Sequence, residues 1–129
     1  MIKRIKSGSI VIPGGVSPWQ HELRVAKLLA DAGYRVEFIE SSNILKMPDF
    51  KINGTPYELK SPRGASINSI ERNLKRASKQ CSNIILDSSR VNTLRDDVIL
   101  AYLKNKVACQ PTIKSLIFIR KNNNIIVLK

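Results

Sequence analysis

The stretch FKINGTPYELK, residues 50–60, constrains this chain more than any other. Asn53-Gly54 is the commonest two-residue hairpin signal, because both residues accept positive φ, and apolar-polar alternation flanks it. Residues 49–52 and 56–61 therefore read as two short strands. A two-residue turn pairs Ile52 with Thr55, Lys51 with Pro56, Phe50 with Tyr57 and Asp49 with Glu58. A longer turn is the alternative, since Pro56 cannot donate to the ladder. Acids placed directly opposite have Cβ atoms about 4.5 to 5.5 Å apart and repel unless a cation lies between them. Lys60 shares the side of its strand with Glu58. Two carboxylates offer oxygen to a hard divalent cation, and an ammonium beside them can stabilise an anionic transition state or orient a water.

The flanking sequence supplies a mixed set of elements. Ser17-Pro18 reads as an N-cap with proline at the first helical position, opening a helix over residues 19–32 that ends at Gly33. Residues 34–40 alternate Tyr34, Val36 and Phe38 against charged neighbours, as a half-buried strand does. Residues 68–81 carry an apolar stripe of Ile70, Leu74, Ala77 and Cys81 with Arg72, Lys75, Arg76 and Lys79 around it. Then follow a buried strand at 83–87, a helix over 92–106 with Leu94, Val98, Ala101 and Tyr102 or Leu103 inward, and a terminal hairpin of 115–120 and 124–129. The order α-β-β-β-α-β-α-β-β predicts an α/β domain with one sheet flanked by helices. Residues 1–18, basic and then rich in Gly, Ser and Pro, read as a flexible leader to a single domain over 19–129.

Composition narrows the function. The chain has 129 residues, 43% hydrophobic, enough for one core. No apolar run approaches the roughly 18 to 20 residues of a membrane span, and the segment before Pro13 is too short for an export signal. Cys81 and Cys109, with no CxxC, read as buried free thiols and give no scaffold for disulfides or structural zinc. Against 22 Lys and Arg stand 10 Asp and Glu, a net charge of +12, which favours a polyanionic partner, nucleic acid first.

In that setting Pro48-Asp49 followed by Glu58-Leu59-Lys60 resembles the PD-(D/E)xK signature of restriction-endonuclease-like nucleases, with Glu22 on the first helix where many members carry a further acidic ligand. The longer stretches HELRVAKLLADAGYRVEFI, MPDFKINGTPYELKSPRG and ERNLKRASKQCSNIILD resemble the C-terminal nuclease domain of contact-dependent growth inhibition toxins, several of which cleave transfer RNA. The resemblance covers roughly residues 20–90. It implies a restriction-endonuclease-like mixed central sheet flanked by helices, metal ligation by Asp49, Glu58 and Glu22, a catalytic role for Lys60 and support from His21. The implied cofactor is a divalent metal, Mg²⁺ first, with Mn²⁺ and Zn²⁺ as alternatives. The implied setting is a recipient cytoplasm reached from another cell, with an immunity protein as a candidate partner.

Candidate contacts to nucleic acid are His21, Arg63 in the loop after the catalytic strand, and Asn73, Arg76 and Gln80, which fall at i, i+3 and i+7 on the basic helix. Trp19 reads as a hydrophobic anchor at a helix start, with base stacking as the alternative, and Asp87 as a cap. The leading expectation is a metal-dependent endonuclease acting on tRNA-like RNA. Its rivals are a DNA endonuclease or junction resolvase of the same fold and a non-catalytic basic binding module. A pure binder is disfavoured because Asp49 and Glu58 would repel phosphate without a metal.

Overall fold

A computed structural model describes residues 8–40, 47–63 and 66–129, so residues 1–7 of the leader and Gly64 of the loop after the strand of Glu58 and Lys60 lie outside it. Among the described residues seven strands and three helices follow one another: β1 (Ser9–Val11), α1 (Gln20–Asp31), β2 (Arg35–Phe38), β3 (Phe50–Ile52), β4 (Thr55–Lys60), α2 (Ile67–Gln80), β5 (Asn83–Asp87), α3 (Asp96–Cys109), β6 (Ser115–Ile119) and β7 (Ile125–Val127). The class is mixed α/β. The chain divides into two compact units, Met1–Pro56 and Tyr57–Lys129.

In the first unit β2 is central, parallel to β1 and antiparallel to β3. Val25, Ala26, Leu29 and Ala30 of α1 are buried together with Val36, Phe38, Phe50 and Ile52. Phe38 and Phe50 are partners across β2 and β3, ring centroids 4.9 Å apart and edge to face, the arrangement aromatic quadrupoles favour. β1 is a difference from the sequence reading, since it lies inside the segment read as leader. Parallel pairing with β2 makes it a strand, and its start is anchored where Gly8 N–H donates to Ala30 O at 2.6 Å and Ser9 N–H to Tyr34 O at 3.3 Å. The Asn53-Gly54 turn is the two-residue one expected, with φ of 48° and 86°. Asn53 is fixed there by its Oδ1, which accepts from Arg35 N–H at 2.8 Å, and its own N–H donates to Arg35 O at 2.8 Å.

In the second unit β4, β5 and β6 run parallel and β7 closes antiparallel to β6. Parallel neighbours need crossovers, and α2 and α3 supply them. Their apolar faces join Ile84, Leu86, Leu116 and Phe118 in one core with Ile70, Leu74, Ala77, Ile99 and Leu103. α2 starts at an N-cap, Ser66, whose Oγ accepts from Ser69 N–H at 3.2 Å. α3 corrects the sequence reading. It begins at Asp96, not residue 92, and buries Ile99 and Leu103 while Val98 and Ala101 are exposed. Asp96 sets this rotation: its carboxylate accepts from Lys121 Nζ at 2.9 Å, Lys121 N–H at 2.8 Å and Ser88 Oγ at 2.8 Å. Burial alone would push that carboxyl up, but the Lys121 and Ser88 bonds more than offset it and hold it below the usual range. The thiols are also more accessible than expected, Cys81 half-buried and Cys109 exposed, and neither is in a disulfide.

Candidate active site

The helix that presents Glu22 starts two residues later than an N-cap at Ser17 allows. Trp19 is the N-cap, because Glu22 Oε1 accepts its backbone N–H at 2.7 Å and Trp19 O accepts from Leu23 N–H at 3.0 Å. Glu22 thus sits in the first turn, where the helix dipole favours a carboxylate. Asp49 immediately precedes β3, tied to the sheet by its carbonyl, which accepts from Ile39 N–H at 3.1 Å.

The fold brings Glu22 and Asp49 together. Burial raises the Glu22 carboxyl above its usual 4.5, the Trp19 N–H works against the rise, and the charge of Asp49 and a hydrogen bond with its carboxyl push it further up. Two carboxylates close enough to share a proton are also close enough to share a cation. The two line a cavity of about 320 Å³ with Gly15, Trp19, Phe38 and Glu40 among its walls. This pair fits part of the oxygen donor set of a hard divalent ion. Among the described residues no group of three or more His, Cys, Asp or Glu side chains is placed to hold a metal by itself, so water or substrate oxygen would complete the coordination.

Glu58 and Lys60 lie on β4 of the second unit. Glu58 is only 4% exposed and stands beside Ile84 of β5, while Lys60 is half-buried beside Leu86. The chain leaving Lys60 is pinned: Ser61 Oγ donates to Asp87 Oδ2 at 3.1 Å. Asp87 is fully buried and also accepts from Ser89 N–H at 3.1 Å and Ser89 Oγ at 2.8 Å, the turn cap foreseen for it. Its bond to Ser61 was not foreseen, since two residues far apart in sequence leave no local trace of such a contact.

The other candidates are dispersed. His21 is half-buried on α1 and Arg63 exposed after β4. On α2, Arg72, Lys75, Arg76 and Lys79 are exposed, whereas Asn73 and Gln80 are half-buried and the Asn73 amide donates to Ser69 O of its own helix at 2.8 Å. Trp19 reverses its reading as an anchor: it is 73% exposed, at the mouth of the cavity.

Residues 46–125 match the family described as "Contact-dependent growth inhibition CdiA C-terminal domain", and the chain belongs to that family of toxin domains. Among solved structures it is similar to a chain of the "CdiA-CT/CdiI toxin and immunity complex from Burkholderia pseudomallei", with 23% identity, a TM-score of 0.70, and 95% of this chain and 99% of that one covered. At that identity the likeness is one of fold. No curated protein matches. None of the described helices is long and apolar enough to cross a membrane.

Proposed function

We propose that this toxin domain is a metal-dependent nuclease of the restriction-endonuclease-like type that hydrolyses phosphodiester bonds, with tRNA-like RNA favoured over DNA, inside the cell that receives it. The observation that carries the reading is the contact of Glu22 with Asp49. In a chain with 22 basic and only 10 acidic residues, two acids held together need a proton or a cation, and at neutral pH a divalent cation answers best.

In this reading Asp49 and Glu22 offer carboxylate oxygens to Mg²⁺ or a similar ion, and the Pro48-Asp49…Glu58-Leu59-Lys60 spacing gives Glu58 a ligand role as well. When bound, such an ion supplies Lewis acidity toward water and a scissile phosphate. Lys60 donates to the phosphate oxygens as charge develops, or orients the attacking water. The Trp19 N–H keeps one Glu22 oxygen aimed, and the Ser61–Asp87 bond steadies the backbone that follows Lys60. The exposed basic face of α2 draws in the nucleic-acid backbone. The solved complex of toxin and immunity proteins supports a further expectation, a dedicated immunity protein that blocks this chain.

The test is direct. Labelled tRNA and duplex DNA are incubated with purified protein in Mg²⁺ or in chelator, alongside Asp49→Ala and Glu58→Ala. Cleavage that needs Mg²⁺ and fails in both variants supports the proposal. Full activity in chelator or in either variant removes it.

A further inference from the structure

We infer that Trp19 is a stacking platform for an unpaired nucleobase at the mouth of the Glu22–Asp49 cavity. The inference rests on the nuclease reading and deepens it, since it makes the favoured substrate a strand with bases out of the duplex.

The chain has one Trp, three Tyr and three Phe, and Trp19 alone among them is exposed, at 73%, while the others are buried or half-buried. Leaving an indole in water forgoes the burial that makes aromatic residues worth having. Its backbone is nevertheless held firmly as the N-cap of α1, bonded to Glu22 on one side and Leu23 on the other. The indole therefore springs from a fixed backbone point and lines the same cavity as the acidic pair. The cavity of about 320 Å³ lies at the small end of ligand sites, about 300 to 1,000 Å³, and suits a group the size of one nucleotide.

Of the wall carboxylates, Glu40 stands outside the pair assigned to the metal; it accepts hydrogen bonds and repels phosphate, whereas the amino and imino edges of bases donate them. Every base has a π-face for Trp19, so the contact tolerates sequence. In a duplex those faces are already stacked and out of reach. A protein surface could also cover an exposed Trp, but the net charge of +12 favours nucleic acid.

Trp19 is the only tryptophan, so its fluorescence reports this site alone. The full chain is titrated in EDTA, where metal-dependent cleavage is silent, with an unstructured RNA oligonucleotide and with a blunt RNA duplex of the same composition. The unpaired strand should quench the emission and the duplex should leave it nearly unchanged. Measured by anisotropy of a labelled strand, Trp19→Ala should weaken binding by about 5- to 150-fold, as loss of one stacked base does, and Trp19→Phe should recover most of it. The alanine variant keeps both backbone cap bonds, and its circular dichroism should match the parent.

Equal quenching by duplex, or wild-type binding by Trp19→Ala, overturns the inference and leaves the ring to a protein partner. If Mg²⁺-dependent cleavage persists in that event, stacking alone has failed. If the parent neither binds the strand nor cleaves, the nuclease reading fails with it.

Discussion

Gly8→Ala tests whether the segment before Pro13 belongs to the fold. A Cβ there would overlap the carbonyl oxygen of Tyr34, lie 2.7 Å from its carbonyl carbon and come within 2.9 Å of Ala30 O, all backbone atoms that cannot swing aside. Relief requires β1 to move away from β2 and α1. The move loosens two hydrogen bonds, Gly8 N–H to Ala30 O and Ser9 N–H to Tyr34 O. Each such bond is worth about 0.5 to 1.5 kcal/mol and overpacking costs about 1 to 3 kcal/mol, so the sum is about 2 to 6 kcal/mol. Little apolar burial opposes the displacement, since Ile10 is half-buried and Val11 is 36% exposed. Urea unfolding should show a midpoint lower by about 1 to 3 M, for an m-value of about 2 kcal/mol per M. Gly14→Ala is the control: nothing lies within 4 Å of the added carbon, and its stability should stay within about 0.5 kcal/mol of the parent. If Gly8→Ala unfolds with the parent, residues before Pro13 carry no structure that matters and the leader reading stands.

The remaining predictions concern chemistry. The Glu22 carboxyl is raised in the folded chain, so its protonation stabilises the fold fully below the ordinary 4.5 and that contribution is lost as pH rises through the raised value; Glu22→Gln, which retains an acceptor for Trp19, should gain stability relative to the parent between pH 4 and pH 7, and a constant difference in urea midpoint would refute the coupling. Lys60→Ala should bind nucleic acid as the parent does yet cleave on the order of 100-fold more slowly in single turnover; weak binding with normal turnover would make Lys60 a phosphate anchor instead. On α2, Arg76→Ala should weaken binding more than Lys75→Ala and lower the salt slope of log K by about 0.7 to 0.9; equal losses across a salt series would mean that the helix acts only as a diffuse positive field.

Much of the architecture was legible in the sequence because it is local. The Asn53-Gly54 turn needs two positive φ values, and only those residue types adopt them cheaply. The stripe of Ile70, Leu74 and Ala77 fixes which face of α2 is buried, and β5 is a short apolar run that ends at a turn-forming acid. Asp49 was singled out from charge and spacing in a chain poor in acids, and Glu22 only through the family resemblance.

What the sequence could not supply were pairings between distant segments. β1 has three residues and no strong pattern; it is a strand because it pairs parallel with β2, Ser9 opposite Arg35 to Val11 opposite Glu37. The rotation of α3 follows from Asp96 meeting Lys121 and Ser88, not from its weak apolar periodicity. Sequence supplied the Glu22 and Asp49 carboxylates, but only folding desolvated Glu22 and set its charge against that of Asp49. Likewise an indole next to a helix start most often packs inward, and only the tertiary structure, by tying its backbone to Glu22 and leaving its side chain 73% exposed, turned Trp19 out to water.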